Sequence, residues 1–219
     1  MKNRRSFITG LKSTILQKKE KHFLNKYKPW GIILFSRNIK SIDQVKKLTD
    51  SIKSIFNDKN YPILIDQEGG RINRLNKLID TSNFSGEFFG NLYKNDIKKF
   101  NIYYKIFIKQ TSYLLNRIGV NINTVPVLDV RRKYSNQVIG NRSFNSNHKI
   151  VSKIGDFCIK EYHKNNIGCV VKHIPGHGLA KVDSHKSMSL VKDKLNKLNQ
   201  IDFFPFKNKN FFFAMTAHV

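Results

Sequence analysis

Residues 168–185 read GCVVKHIPGHGLAKVDSH. A short apolar run, Gly168 to Val171, passes directly into a Gly/Pro loop that carries His173, His177, Asp183 and His185. An apolar strand followed at once by titratable groups is how α/β proteins place chemistry at the carboxyl end of a strand. The same pattern recurs on either side. Phe7-Ile8 is a weak first strand, Gly31 to Phe35 a clear second and Tyr61 to Ile65 a third. Val120 to Val130 contains a fourth, Gly168 to Val171 is the fifth, and Phe211 to Thr216 the sixth.

The intervening segments have helical character. Ile42, Val45, Leu48, Ile52 and Ile55 recur at helical spacing and predict a helix over 42–57. Further helices are predicted over 11–27, 96–117, 147–165 and 192–201, with Asp43 and Asn147 as caps or first-turn residues. Strands alternating with helices of this length imply βα units and a mostly parallel sheet. Six such units fit a doubly wound sheet or most of a barrel. No G-x-G-x-x-G fingerprint follows the first strand, which counts against a dinucleotide fold. A TIM (β/α)8 barrel uses eight strands in about 250 residues. Against that barrel the α/β chain carries about six of eight βα units, so a doubly wound sheet and an incomplete barrel both remain open from the pattern alone. Residues 1–219 read as a single domain, and a final strand with no helix to cover it suggests truncation.

Bulk composition narrows the class. The chain has 219 residues and is 40% hydrophobic, enough for one real core and too apolar for a disordered chain. No apolar run approaches the roughly 20 residues that span a bilayer, so no membrane partner is expected. Gly10 and Lys12 interrupt the N-terminal apolar stretch where a signal peptide would need continuity. Cys158 and Cys169 have no metal-ligand spacing and read as two buried thiols in a reducing cytoplasm. The net charge of +25 raises the question of a polyanion partner. The lysines are scattered over helix faces rather than gathered, and no basic motif interleaved with aromatics appears. Codon bias toward Lys, Asn, Ile and Phe accounts for them better than specific nucleic-acid binding.

Four segments carry candidate chemistry. Ile65 to Arg74 reads IDQEGGRINR: two carboxylates and two arginines around a Gly69-Gly70 turn at a strand end. A surface turn with weak local ion pairs explains that composition equally well. Ile139 to Phe144 reads IGNRSF, by itself no more than a loop arginine. In the 172–185 loop, Asp183 and His185 are close enough for the carboxylate to orient the imidazole, which makes His185 a candidate acid/base near neutral pH. Lys172 and His173 leave the strand end toward the same mouth. Alternatively His173 and His177 are structural, or His173, His177, Asp183 and His185 bind zinc. Met215-Thr216-Ala217-His218 closes the sixth strand and aims a histidine at that mouth, or is a fraying end.

Together, the IDQEGGR-x-x-R run, the IGNRSF run, the KH-x-PGHG-x(4)-DSH loop and the AMTAHV strand resemble family 3 glycoside hydrolases. The likeness is to the bacterial β-N-acetylhexosaminidases that recycle peptidoglycan fragments, and GIILFSRN at 31–38 matches their second strand. It covers essentially the whole chain, and its most specific part is the 172–185 loop. The resemblance implies an α/β TIM (β/α)8 barrel, incomplete here with about six of eight βα units, in which residues 1–219 are a single catalytic barrel domain's N-terminal portion, truncated before the seventh strand. It also implies removal of terminal, non-reducing β-linked N-acetylglucosamine with retention. His185 would be the acid/base and Asp183 would orient it. Asp66, Arg74, Arg142, Lys172 and His173 would hold the sugar. No metal and no cofactor is implied. The substrate would be an N-acetylglucosamine-containing muropeptide, and the protein a cytoplasmic monomer. Retention also requires a carboxylate nucleophile about 5 Å from the acid/base. The family places it on a seventh strand, beyond this sequence. A non-catalytic or decayed sugar-binding fragment, a nucleic-acid-binding protein and a metal-dependent hydrolase are the competing readings.

Overall fold

The computed structural model describes residues 4–132, 137–179, 191 and 193–217. Six parallel strands form one sheet: β1 (Arg5–Gly10), β2 (Pro29–Leu34), β3 (Ile63–Ile65), β6 (Ile122–Asn123), β7 (Gly168–Ile174) and β8 (Phe213–Thr216). They lie side by side in chain order, and each pairs in parallel with the next. Sequential order with helical crossovers is barrel topology and excludes the doubly wound arrangement, whose strand order reverses at a switch point. The sheet curls. Trp30 on β2 and Phe213 on β8 have three strands between them, yet their rings meet edge-to-face at 5.2 Å between centroids. The expected incomplete TIM barrel is therefore the observed architecture.

Period-2 alternation assigns the two faces of the sheet. Ile63 and Ile65, like Cys169 and Val171, belong to the core between sheet and helices, while Leu64 and Val170 face inward with Ile122, Trp30, Ile33, Phe213 and Met215. Between β1 and β8 this inner face opens as an apolar groove of about 770 Å3. The outer layer consists of α1 (Lys18–Tyr27), α2 (Ile42–Ile55), α3 (Gly86–Asn95), α4 (Ile97–Arg117), α5 (His148–Lys164) and α6 (Leu195–Ile201). Ser41, Asp96 and Asn147 cap α2, α4 and α5 by accepting from Gln44, Lys99 and Lys149 backbone N–H groups. Asp43 sits in the first turn of α2, so both it and Asn147 serve as expected.

Three differences from the sequence reading have physical causes. Helix α1 starts at Lys18, not at 11, because Glu20 accepts from the Lys12 and Gln17 backbone N–H groups and folds 12–17 into a loop against the helix start. Residues 67–73 are not a bare turn but a hairpin of β4 (Gln67–Gly69) and β5 (Ile72–Asn73). Helix α3 was not foreseen, since Gly86 and Gly90 weaken its helical signal. Gly90 is there for contact: a Cβ at that position would stand 1.5 Å from the Phe144 carbonyl oxygen. Cys158 and Cys169 are buried free thiols, and burial pushes Cys158 up to about 12. No helix among the described residues is long and apolar enough to cross a membrane.

Candidate active site

Asp66 follows β3 directly, and the extended backbone through β4 sets the directions of the next side chains. Asp66 and Glu68 point to one side, into the mouth of the barrel, and both line a cleft of about 450 Å3. Gln67 points the other way. It is buried, accepts from the Leu75 backbone and bonds Thr81, so it ties the 71–81 loop to the sheet. Gly69 and Gly70 turn the hairpin at φ 91° and 57°, and a Cβ on Gly69 would stand 2.3 Å from the Phe84 carbonyl oxygen. The turn expected at Gly69-Gly70 is real and admits no side chain.

Lys172, on β7, enters from across the sheet. Its side chain is 2% exposed, and Nζ lies 2.6 Å from Glu68 Oε1, 3.3 Å from Asp66 Oδ1 and 3.0 Å from Thr124 Oγ1. Thr124 also donates to Asp66. Arg142 meets Glu68 with both arms of its fork, Nε to Oε2 at 2.8 Å and Nη2 to Oε1 at 2.7 Å. That bidentate geometry is the strongest form of ion pair available to Arg. Arg74 reaches Asp66 Oδ2 at 3.4 Å and lies over the Phe35 ring at 5.6 Å.

Charge decides the protonation here. Burial alone would raise the Glu68 carboxyl, but Lys172 and Arg142 outweigh it and hold it at about 2. Asp66 is likewise lowered, with Lys172, Thr124 and Arg74 outweighing its burial. For Arg142, burial works against the charge, while the hydrogen bonds and charge of Glu68 raise it. Both carboxylates are thus fixed acceptors and Arg142 a fixed donor across the neutral range.

His173 stands next to Lys172 and also lines the cleft. Its Nδ1 lies 2.6 Å from Oδ2 of Asp129, whose side chain is fully buried. Arg71 closes the rim by donating to the carbonyls of Gln137 and Val138, both at 2.5 Å. Phe35, Ile72, Val138, Ile139 and Met215 supply apolar walls.

Asp66, Arg74, Arg142, Lys172 and His173, named from the sequence, therefore converge on one cleft. The surface-turn reading of 65–74 and the loop-arginine reading of Arg142 both fail, because Glu68 and Arg142 are 6% and 12% exposed and form one buried pair. Asp183, His185 and His218 lie outside the described residues. So does half of the alternative zinc set, whose described members His173 and His177 have ring centroids 5.8 Å apart. Sequence reasoning missed Glu68, Thr124 and Asp129 as site residues. The signal for Glu68 was its period-2 relation to Asp66; for Asp129 it was a carboxylate inside the apolar run Val127-Leu128-Asp129-Val130.

Comparison with known proteins bears on this architecture. Beta-hexosaminidase A of Pseudoalteromonas piscicida is 33% identical over 214 residues, covering 94% of this chain and 35% of that protein. The beta-hexosaminidase of Hydrogenovibrio crunogenus is 31% identical, covering 91% of this chain and 55% of the relative. The chain thus spans about a third to a half of the length of these relatives. Among solved structures, NagZ from Neisseria gonorrhoeae in complex with N-trifluoroacetyl-D-glucosamine superposes with a TM-score of 0.89 at 28% identity, covering 99% of this chain and 64% of that one. A family 3 beta-N-acetylglucosaminidase from Paenibacillus sp. superposes at 0.85 and 26% identity, covering 97% and 40%. The glycosyl hydrolase family 3 N terminal domain matches residues 6–219, and with that span the chain belongs to glycosyl hydrolase family 3.

Proposed function

We propose that the cleft is the sugar-holding part of a β-N-acetylhexosaminidase that removes terminal, non-reducing β-linked N-acetylglucosamine. The observation that carries this reading is the convergence of two ionised carboxylates, three arginines, a lysine and two histidines on one cleft with apolar walls. A pyranose has this mixed character, with hydroxyls around its edge and C–H groups on its faces. Asp66 accepts from ring hydroxyls. Lys172, Arg142 and Arg74 donate to hydroxyl or amide oxygens.

Chemistry belongs to the 180–190 segment and to a strand outside this sequence. His185, oriented by Asp183, protonates the glycosidic oxygen as a carboxylate attacks the anomeric carbon and the aglycone leaves. His185 then takes a proton from water, whose oxygen displaces the carboxylate with net retention. N-acetylglucosamine-capped muropeptides are the proposed substrate, met by a monomer in the cytoplasm, where two unpaired thiols suit the reducing conditions.

The test uses the polypeptide extended through the remaining βα units. It should release p-nitrophenol from p-nitrophenyl N-acetyl-β-glucosaminide, and His185→Ala and Asp183→Ala should each abolish release. Normal turnover in both variants overturns the assignment. Calorimetric binding of N-acetylglucosamine with no turnover in the extended protein would make this a sugar-binding module instead.

A further inference from the structure

We infer that Asp129 is a positioning residue that fixes the tautomer and direction of His173, so that Nε2 faces the cleft as a hydrogen-bond acceptor. The inference rests on the glycosidase reading only for its kinetic arm.

Asp129 ends an extended stretch that runs beside β7. Val127 bridges to Lys172, and the Leu128 backbone N–H donates to the Lys172 carbonyl at 2.7 Å. Ser143 Oγ pins the Asp129 carbonyl at 2.6 Å. The carboxylate is consequently fixed before it meets its partners. It is fully buried and receives three donors: His173 Nδ1 at 2.6 Å, the His177 backbone N–H at 2.7 Å and the His173 backbone N–H at 3.4 Å. An ionised carboxylate only accepts, so the proton between Asp129 and His173 sits on Nδ1. In the neutral ring the other nitrogen then carries a lone pair. His173 lines the cleft, and the Lys172, Arg142 and Arg74 side chains around it are all donors. A bound hydroxyl that receives a hydrogen bond from one of those cations has its own hydrogen to give, and Nε2 is placed to accept it.

The same carboxylate holds the start of the loop. Oδ1 receives the His177 N–H, and Gly178 packs so closely on the preceding segment that a Cβ would stand 1.9 Å from the Val130 carbonyl oxygen. Asparagine has almost the same shape but offers one acceptor oxygen. If that oxygen keeps the backbone donors, the amide NH2 faces Nδ1, and the ring must turn over to the Nε2–H tautomer.

Two measurements on the full-length protein test the inference. Long-range 15N–1H NMR of the His173 ring at neutral pH should show a protonated Nδ1 and a bare Nε2, with the pattern reversed in Asp129→Asn. An Nε2–H ring in the wild type, or an unchanged tautomer in the variant, overturns it. Kinetically, Asp129→Asn should lower kcat/KM by about 10- to 100-fold, the range expected from a misdirected group. In a His173→Ala background the same change should cost less than about twofold, because the two residues act as a unit. Wild-type kcat/KM in Asp129→Asn, or full multiplication of the two losses, also overturns it. If Asp129→Asn does not fold, the wild-type tautomer decides alone. If the wild type proves inactive, the functional reading fails while the NMR arm still judges this one.

Discussion

Lys172 and His173 are neighbours on β7, and both line the cleft, yet opposite arrangements hold them. Lys172 enters a buried cluster in which two carboxylates, Asp66 and Glu68, serve three cations, Lys172, Arg74 and Arg142. Every member offsets the desolvation of another, so its geometry is bound up with fold stability. His173 has its ring held at Nδ1 by a single carboxylate, which leaves the other ring nitrogen for a bound ligand. The cluster invests burial in stability and in a fixed field; the pair invests it in direction. Changes to the buried centre of the first should mainly destabilise the fold, and changes to the second should mainly misdirect the ring.

The largest effect should come from Glu68→Gln. It preserves volume but leaves Arg142 without its bidentate partner and Lys172 with Asp66 alone. Breaking a buried pair by removing one charge typically costs about 3–5 kcal/mol. Denaturant unfolding near neutral pH should show a loss of that order, against much less than that for Asp129→Asn. Equal losses in the two variants would erase the contrast between cluster and pair.

Acid should sharpen the same contrast. The folded-state Glu68 pKa of about 2 lies below its ordinary 4.5. A depressed carboxyl contributes stability that is fully present above the unfolded value and is lost as pH falls through the folded one. The gap in unfolding free energy between wild type and Glu68→Gln should therefore be constant above about pH 5.5. It should narrow steadily from 4.5 toward 2. A gap independent of pH across that window would mean that Glu68 is not held ionised by Lys172 and Arg142.

These regions also differed in how far the sequence exposed them. The strands were legible because they are short apolar runs bounded by turns, and all six lie where the runs predicted. Asp66, Arg142, Lys172 and His173 stood out because each is a polar residue at the end of such a run or inside a recognisable motif. Glu68 and Asp129 stayed hidden because their partners are distant in sequence: 74 residues separate Glu68 from Arg142, and 44 separate Asp129 from His173. Periodicity reports neighbours along one element and is silent about carboxylates that meet cations across a sheet. Helix α3 was hidden differently, since Gly90 is required by the Phe144 backbone and weakens the local pattern that would have announced the helix.

The smallest expected effect lies at the cluster's margin and tests where holding the fold gives way to holding the ligand. Arg74 is 29% exposed, and its contact with Asp66 is long at 3.4 Å. Its Nε is buried with no acceptor among the described residues. Partly exposed pairs of this kind contribute about 0–1 kcal/mol, so Arg74→Lys should shift unfolding by no more than that. The lysine keeps the charge and loses the planar fork that stacks on Phe35 and presents several donors at fixed angles. In the extended protein KM for the aryl glycoside should rise roughly 5- to 30-fold with kcat little changed, about 1–2 kcal/mol, less than a whole charged hydrogen bond because the lysine still offers a donor. A fall in stability approaching that of Glu68→Gln, with KM unaltered, would place Arg74 inside the structural cluster and move the boundary between the two regions outward to the cleft wall.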